Sequence, residues 1–353
     1  PHKNLSRAFA RDGNRRTAAP PERNEDRMAA TFDPVTLELV WRRLISSVDE
    51  AAAALVRTSF STLVRESYDF SCIITDDRGE SLVQATESIP SFIGTLPATV
   101  KHFIAAYPVD TLSPGDVLIT NDIHLGTGHL PDITVAKPIF RNGRLVAFSA
   151  STAHAPDIGG KIRSPEPREV FEEGFQIPPM KLMNAGVTDE TLVKLLRKNV
   201  RTPDLTLGDL WAQVVALDTM ERRLEALMDA YELSDLRDLA AEIHGRCETA
   251  MRAAIRDLPD GVYTSSLQTD GLLDVPITIA MTLTVKGDEI DIDYAGTDPQ
   301  VDRAINCAMC YTYAMSVYGV KVCTSPNLPN NEGAFRPIRI RAPDGTIVNP
   351  VFP

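Results

Sequence analysis

No apolar run in this 353-residue sequence approaches the roughly 18–20 residues that a membrane span requires. Cysteine is scarce: five residues at irregular spacings are too few for a disulfide framework, and a reducing cytoplasm is the simplest compartment. Positive charge is short as well. Lys and Arg number 36 against 48 Asp and Glu, a formal charge of −12. A broad nucleic-acid footprint or an anionic membrane surface needs a basic face, so neither is an expected partner. There is no lysine-bearing phosphate loop and no GxGxxG, so nothing looks like a nucleotide cradle. No repeat recurs at a solenoid period. Histidine occurs only six times, yet two of the six fall in one twelve-residue stretch, "NDIHLGTGHLPD", Asn121–Asp132.

Hydrophobic residues at 43% and charged residues at 24% are ordinary for a globular protein, and the length suffices for two domains. Residues 1–31 read as a disordered leader: 1–27 are polar and Arg-rich without apolar periodicity. Acidic residues there weigh against a transit peptide, and translation upstream of a true start at Met28 is the other reading. Order begins near Phe32. Asp33-Pro34 marks a helix start, and Leu37, Val40, Leu44, Val48, Ala52 and Leu55 continue at helical spacing to about Ser59. "DFSCIITDDRGESLVQA" reads as a hairpin, 96–107 as a short helix and 116–120 as a strand. "DITVAKPIF" and "RLVAFSASTAH" form a strand pair around the turn signal "RNG". From 166 a Pro-rich acidic stretch precedes helices at 188–199, 204–231 and 233–257. Alternating strands follow, then a helix at 301–322 with "GTDPQV" turning into it. The expected class is α+β with mixed sheets and a helical middle. The expected parts are a mixed region at 32–165, a helical region at 166–258 and a β-rich region at 259–353 that stops short of its own end.

His129, Asp132 and His154 are the core chemical candidates. Two imidazoles and a carboxylate suit a divalent transition ion with positions left open, and the Pro131 between the first two restricts the backbone that carries them. The same residue types could instead serve as a direct acid/base pair. Asp122 is a candidate fourth ligand, and Asp122 and Asp157, each close in sequence to one of these histidines, are candidates for a general base or for orienting a ligand. His124 is a further candidate that could enlarge the ligand set or act on substrate. Cys307-Ala-Met-Cys310 has no second Cys/His pair nearby and reads as two small core residues, and Arg65, Glu66 and Asp69 read as structural.

The sequence resembles the hydantoinase B/5-oxoprolinase family, which includes the large subunits of acetone and acetophenone carboxylases. The resemblance runs in family order through "DPVTLELVWRRL", "DFSCIITDDRGE", "PGDVLITNDIHLGTGHLPDITV", "AHAPDIGG", "EGFQIPPMKL", "NVRTPDLTLGDLWAQ" and "NEGAFRPIRIRAPDGTIVNP", roughly 33–350. It implies a hydantoinase B-like fold and a chain whose relatives continue further. The carboxylase branch's His-x-x-Asp and downstream His fall on His129, Asp132 and His154, with manganese or zinc as the implied ion. Ile123 and His124 stand where the family often has Pro and Tyr, and Ala155 where a second His is common, which leaves the substrate open. The resemblance further implies ATP on an A-type hydantoinase/oxoprolinase partner subunit, not on this chain, and a small-molecule substrate. The expected activity is ATP-dependent hydrolysis of a cyclic amide, 5-oxoproline or a hydantoin, with the metal polarising a carbonyl or activating water. The alternatives are an ATP-dependent ketone carboxylase large subunit and a non-catalytic assembly subunit.

Overall fold

A computed structural model describes residues 32–161, 164–272 and 275–352. The expected leader at 1–31 lies outside the described residues. Helix α1 (Pro34–Thr58) starts as expected, the Asp33 carboxylate accepting from Val35 N and Thr36 N. It ends at Ser59 because Phe60 and Ser61 turn their amides onto the Asp209 carboxylate. Arg65 therefore ends a separate short helix, α2 (Thr62–Arg65), which Glu66 caps, instead of extending α1.

Next come β1 (Phe70–Asp76), β2 (Ser81–Gln84), α3 (Phe92–Ala106), β3 (Val117–Thr120), β4 (Asp132–Arg141) and β5 (Arg144–His154). Then β6 (Met180–Asn184) and β7 (Val187–Thr188) lead to helices α4 (Glu190–Asn199), α5 (Pro203–Ala230) and α6 (Arg237–Arg256). The first seven strands make one antiparallel sheet in the order β2-β1-β5-β4-β3-β6-β7. That sheet continues across residues 165/166, because β6 pairs onto β3 and β7 onto β6.

Strands β1 to β5 are largely buried on both faces, and their alternation sorts two cores. Cys72, Ile74, Ile119, Ile133 and Val135 face α1 and α5, whereas Ile73, Leu118, Ala136, Phe148 and Ala150 face α3 through Leu96, Val100 and Phe103. The apolar stripe of α5, Leu207, Leu210, Leu217, Leu224 and Met228, is spent on the first of these cores.

A second sheet follows, β11-β10-β9-β8, from β8 (Gly261–Leu272), β9 (Val275–Lys286), β10 (Glu289–Asp293) and β11 (Ile338–Arg341). Between β10 and β11 lie α7 (Met309–Thr324) and α8 (Glu332–Phe335). Strands β8, β9 and β10 pair antiparallel, and β11 adds to β10 in parallel. Helix α7 begins at Met309, not 301, because the Asn306 side chain closes a loop on Val301 N and O. "GTDPQV" is thus a turn, with Pro299 paired to Thr346, and not a helix start. The class is α+β. No helix among the described residues is long and apolar enough to cross a membrane.

Candidate metal centre

The site begins with a hairpin. Asn142 and Gly143 both take positive φ, 51° and 75°, as a two-residue type I′ connection requires. Arg141 pairs with Arg144 across it. Followed to the far end, that pairing sets Asp132, the first residue of β4, opposite His154, the last of β5. Residues 22 apart in sequence become cross-strand neighbours.

His129 arrives on the loop that precedes β4. Asn121 is buried and builds this loop: its Nδ2 donates to Leu130 O at 2.8 Å and to Phe175 O at 2.9 Å. Leu130 is buried in the core, and Ala155 N donates to Pro131 O, so His129 is held over the end of the β4–β5 pair.

Asp132 is the hub. Its Oδ1 lies 2.9 Å from His129 Nε2 and 3.1 Å from His154 Nδ1, while its Oδ2 accepts from Thr127 Oγ1 at 2.6 Å. Burial alone would raise this carboxyl; the hydrogen bonds from His129 and His154 outweigh it and hold Asp132 far below the usual carboxylate range. Burial also acts to depress His129, but the bond to Asp132 prevails and its pKa is raised.

One potential ligand atom from each of the three residues lies within 4.8 Å of the others, and no other such group of His, Cys, Asp and Glu occurs among the described residues. Among the described residues, His154 Nε2 is buried with no hydrogen-bond partner. An ionised carboxylate, two imidazoles and an orphaned ring nitrogen fit a divalent transition ion.

The other candidates are placed differently. Asp122 Oδ1 accepts from His124 N and Leu125 N, capping the loop's first turn. Asp157 Oδ1 accepts from Gly159 N and the Arg201 guanidinium, and Oδ2 from Arg201 N. Burial would raise Asp157, and these bonds reverse the effect and lower it. Both carboxylates brace loops and lie outside the three-residue group. His124 is also outside it, in the wall of another cavity with His102 and Cys310. Cys307 and Cys310 are free, half-buried thiols; burial pushes Cys310 up to about 12.

Three residues near the cluster were not among the sequence candidates for chemistry. Asp69 immediately precedes β1, its carbonyl accepts from His154 N at 3.0 Å, and its Oδ2 lies 3.7 Å from His154 Nδ1. The signal existed in principle: β1 pairs with β5, Phe70 against Ala153, which carries Asp69 to His154. Tyr311 stands over the loop on α7, its phenol raised by burial and by the negative potential of Cys307, Asp132 and Asp69. Glu173 comes from the acidic stretch and shares with His129, Pro131, His154, Lys161 and Ile305 the wall of a cavity of about 410 Å³. Burial raises its carboxyl, partly countered by His129.

The hydantoinase B/oxoprolinase family model matches residues 33–353. The chain belongs to that family. A relative from Pseudomonas sp. (strain NS671), provisionally named as one of the subunits of a D-/L-hydantoinase, is 34% identical over 91% of this chain and 58% of its own length. The crystal structure of ATP-dependent caprolactamase from Pseudomonas jessenii superposes with a TM-score of 0.86 at 31% identity, covering 92% of this chain and 56% of that one. Acetone carboxylase in its nucleotide-free structure shares the fold, with a TM-score of 0.78 at 20% identity over 90% and 44% of the two chains. The chain thus spans little more than half the length of the hydantoinase and caprolactamase relatives.

Proposed function

We propose that this chain provides the metal-binding centre of an ATP-dependent cyclic-amide hydrolase that opens a small lactam-type ring such as 5-oxoproline or a hydantoin. One observation carries the reading: exposed His129 and buried Asp132 and His154 converge from a loop and two strand ends on a single point beside a ligand-sized cavity. A non-catalytic assembly subunit would have no need of a carboxylate buried between two imidazoles, since such a group is costly to bury without a task. His129, Asp132 and His154 would hold the ion, with the Asp69 carboxylate beside them. A divalent ion there would act as a Lewis acid toward the amide carbonyl.

The remaining work falls to the chain itself. Thr127 fixes one oxygen of Asp132, so that the other is directed at the two histidines. Pro131 and Ile305 give the cavity an apolar side for the ring's methylenes, and Lys161 and Glu173 give it a polar side for the amide. ATP would be used on an A-type partner. The family membership and the caprolactamase likeness support this assignment, and manganese or zinc is the ion we expect.

The test combines metal analysis with assay of the protein in complex with its A-type partner. Wild type should carry about one equivalent of manganese or zinc, and His129→Ala and His154→Ala should lose most of it. The complex should hydrolyse ATP in response to 5-oxoproline, a hydantoin or caprolactam without bicarbonate. Equally negligible metal in all three proteins, or ATP turnover that needs acetone and bicarbonate, refutes the assignment.

A further inference from the structure

The double glycine of "DIGG" has a structural purpose beyond its turn. Ile158–Lys161, just past the strand that ends on His154, is overlaid by a strap of chain at Glu172–Phe175. Lys161 N donates to Glu172 O at 3.0 Å, and Phe175 N donates to Ile158 O at 2.8 Å. Only glycine permits so close a crossing. A Cβ on Gly160 would overlap the Glu173 carbonyl group, and one on Gly174 would lie 2.6 Å from Ile158 O. On its other side the strap is tied to Asn121, which donates to Phe175 O and accepts from Ile177 N at 2.6 Å.

Glu173 is therefore fixed by backbone bonds to both segments that deliver the histidines: the β5 exit for His154 and the Asn121 loop for His129. Its side chain is half-buried in the wall of the cavity that His129 and His154 also line. Unlike Asp122, Asp132 and Asp157, whose oxygens are taken up by amides, imidazoles or a guanidinium, Glu173 has no side-chain hydrogen bond or ion pair among the described residues. A carboxyl carried so deliberately to a cavity, and given no side-chain partner among the described residues, is available to substrate.

We propose that Glu173 is the proton-transferring residue of the ring opening. This inference rests on the hydrolase reading above. The Glu173 carboxylate takes a proton from a water molecule as the water oxygen bonds to the amide carbon. The resulting carboxylic acid then gives that proton to the ring nitrogen as the carbon–nitrogen bond breaks. On an amide whose oxygen carries the phosphoryl group received from ATP on the partner, this leaves an amine and an acyl phosphate, which a second water molecule hydrolyses to the acid and inorganic phosphate, and Glu173 is returned as the carboxylate. No redox partner is involved.

The experiment uses the full chain in complex with its A-type partner, with a cyclic amide that wild type opens. Glu173→Gln should lower kcat by about 10²–10⁴-fold, the usual worth of a positioned acid/base group, while KM, bound metal and thermal stability stay near wild type. Glu173→Asp should recover part of the loss. Glu173→Ala should be activated by added formate, which a merely structural role would not produce. Glu173→Gln within about threefold of wild type, or a loss accompanied by metal release and with no formate rescue, overturns the role. If wild type opens no cyclic amide at all, the hydrolase reading fails and Glu173's role fails with it. If wild type is active and Glu173→Gln matches it, only the role of Glu173 fails.

Discussion

Thr127 shows how much of the centre depends on a residue that would never itself touch an ion. Its hydroxyl donates to Asp132 Oδ2 at 2.6 Å, and both groups are buried. A buried carboxylate has two oxygens to satisfy, and here one is satisfied by the protein so that the other can serve the histidines. Thr127→Val keeps the shape and removes the donor. We expect metal affinity to fall about 10–100-fold, as is usual when an outer partner of a ligand is lost. Competition with a chromogenic chelator would read it, and unchanged affinity would mean that the hydroxyl does not orient Asp132. His244 provides a contrasting case, a buried histidine with a purely structural task. Its Nε2 donates to Ser81 O at 2.8 Å, which requires the neutral ring to keep that proton. Burial, first among the causes, lowers its pKa below the ordinary value of 6.5. The unfolded chain therefore binds a proton that the folded chain refuses once pH drops through about 6.5, and stability falls in that direction until the folded ring also titrates. A plot of Tm against pH should decline below about 6.5, and His244→Gln, which keeps a donor and loses the titration, should flatten that decline.

At the scale of elements, chain crossings decide more than local preference does. Gly160 has φ of 52° and meets the Glu173 backbone, so Gly160→Ala must displace the strap. We expect a loss of at least about 1 kcal/mol in denaturant unfolding, together with a drop in ring-opening rate. Gly245, within α6, would meet nothing within 4 Å and has no positive φ. Gly245→Ala should therefore stabilise, by up to about 1 kcal/mol. If the two substitutions behave alike, the crossing does not explain the double glycine. The same distinction accounts for what the sequence disclosed. Helix α1 was legible because its cap, its proline and its apolar spacing are all local. The β4–β5 pair was legible because Asn142-Gly143 names its own turn, and the metal-ligand candidates His129, Asp132 and His154 lie on it or beside it. Strands β6 and β11 were not legible: each is short and gains its identity only by joining β3 or β10, partners distant in sequence. Asp69 and Glu173 escaped for a related reason. Nothing around either residue is unusual, and each acquires meaning from a pairing with β5 or its exit that no local pattern encodes.

Over the whole described molecule, the candidate centre lies where separate parts of the fold are joined. His129 belongs to a loop anchored by Asn121 and Leu130, and Asp132 and His154 to adjacent central strands of the seven-stranded sheet. Asp69 leads into a third strand, and Tyr311 reaches the site from α7, which packs in the other large core with the second sheet. An ion bound to these ligands in the folded state, and not to the unfolded chain, must add to the stability of the fold as a whole by mass action. At a free metal concentration about 100 times Kd the gain is about 2.7 kcal/mol. That corresponds to a rise of a few degrees in Tm for a domain of this size. Removing metal with a chelator should lower Tm by about that amount, and restoring manganese or zinc should reverse it. His129→Ala and His154→Ala should sit near the chelated wild-type value and respond to neither treatment. Glu173→Gln should respond like wild type, because Glu173 is proposed to handle protons and not to hold the ion. A Tm that ignores chelation in wild type would mean that the three ligands do not bind an ion in the folded chain, whatever their geometry. A response that survives loss of both histidines would place the ion elsewhere.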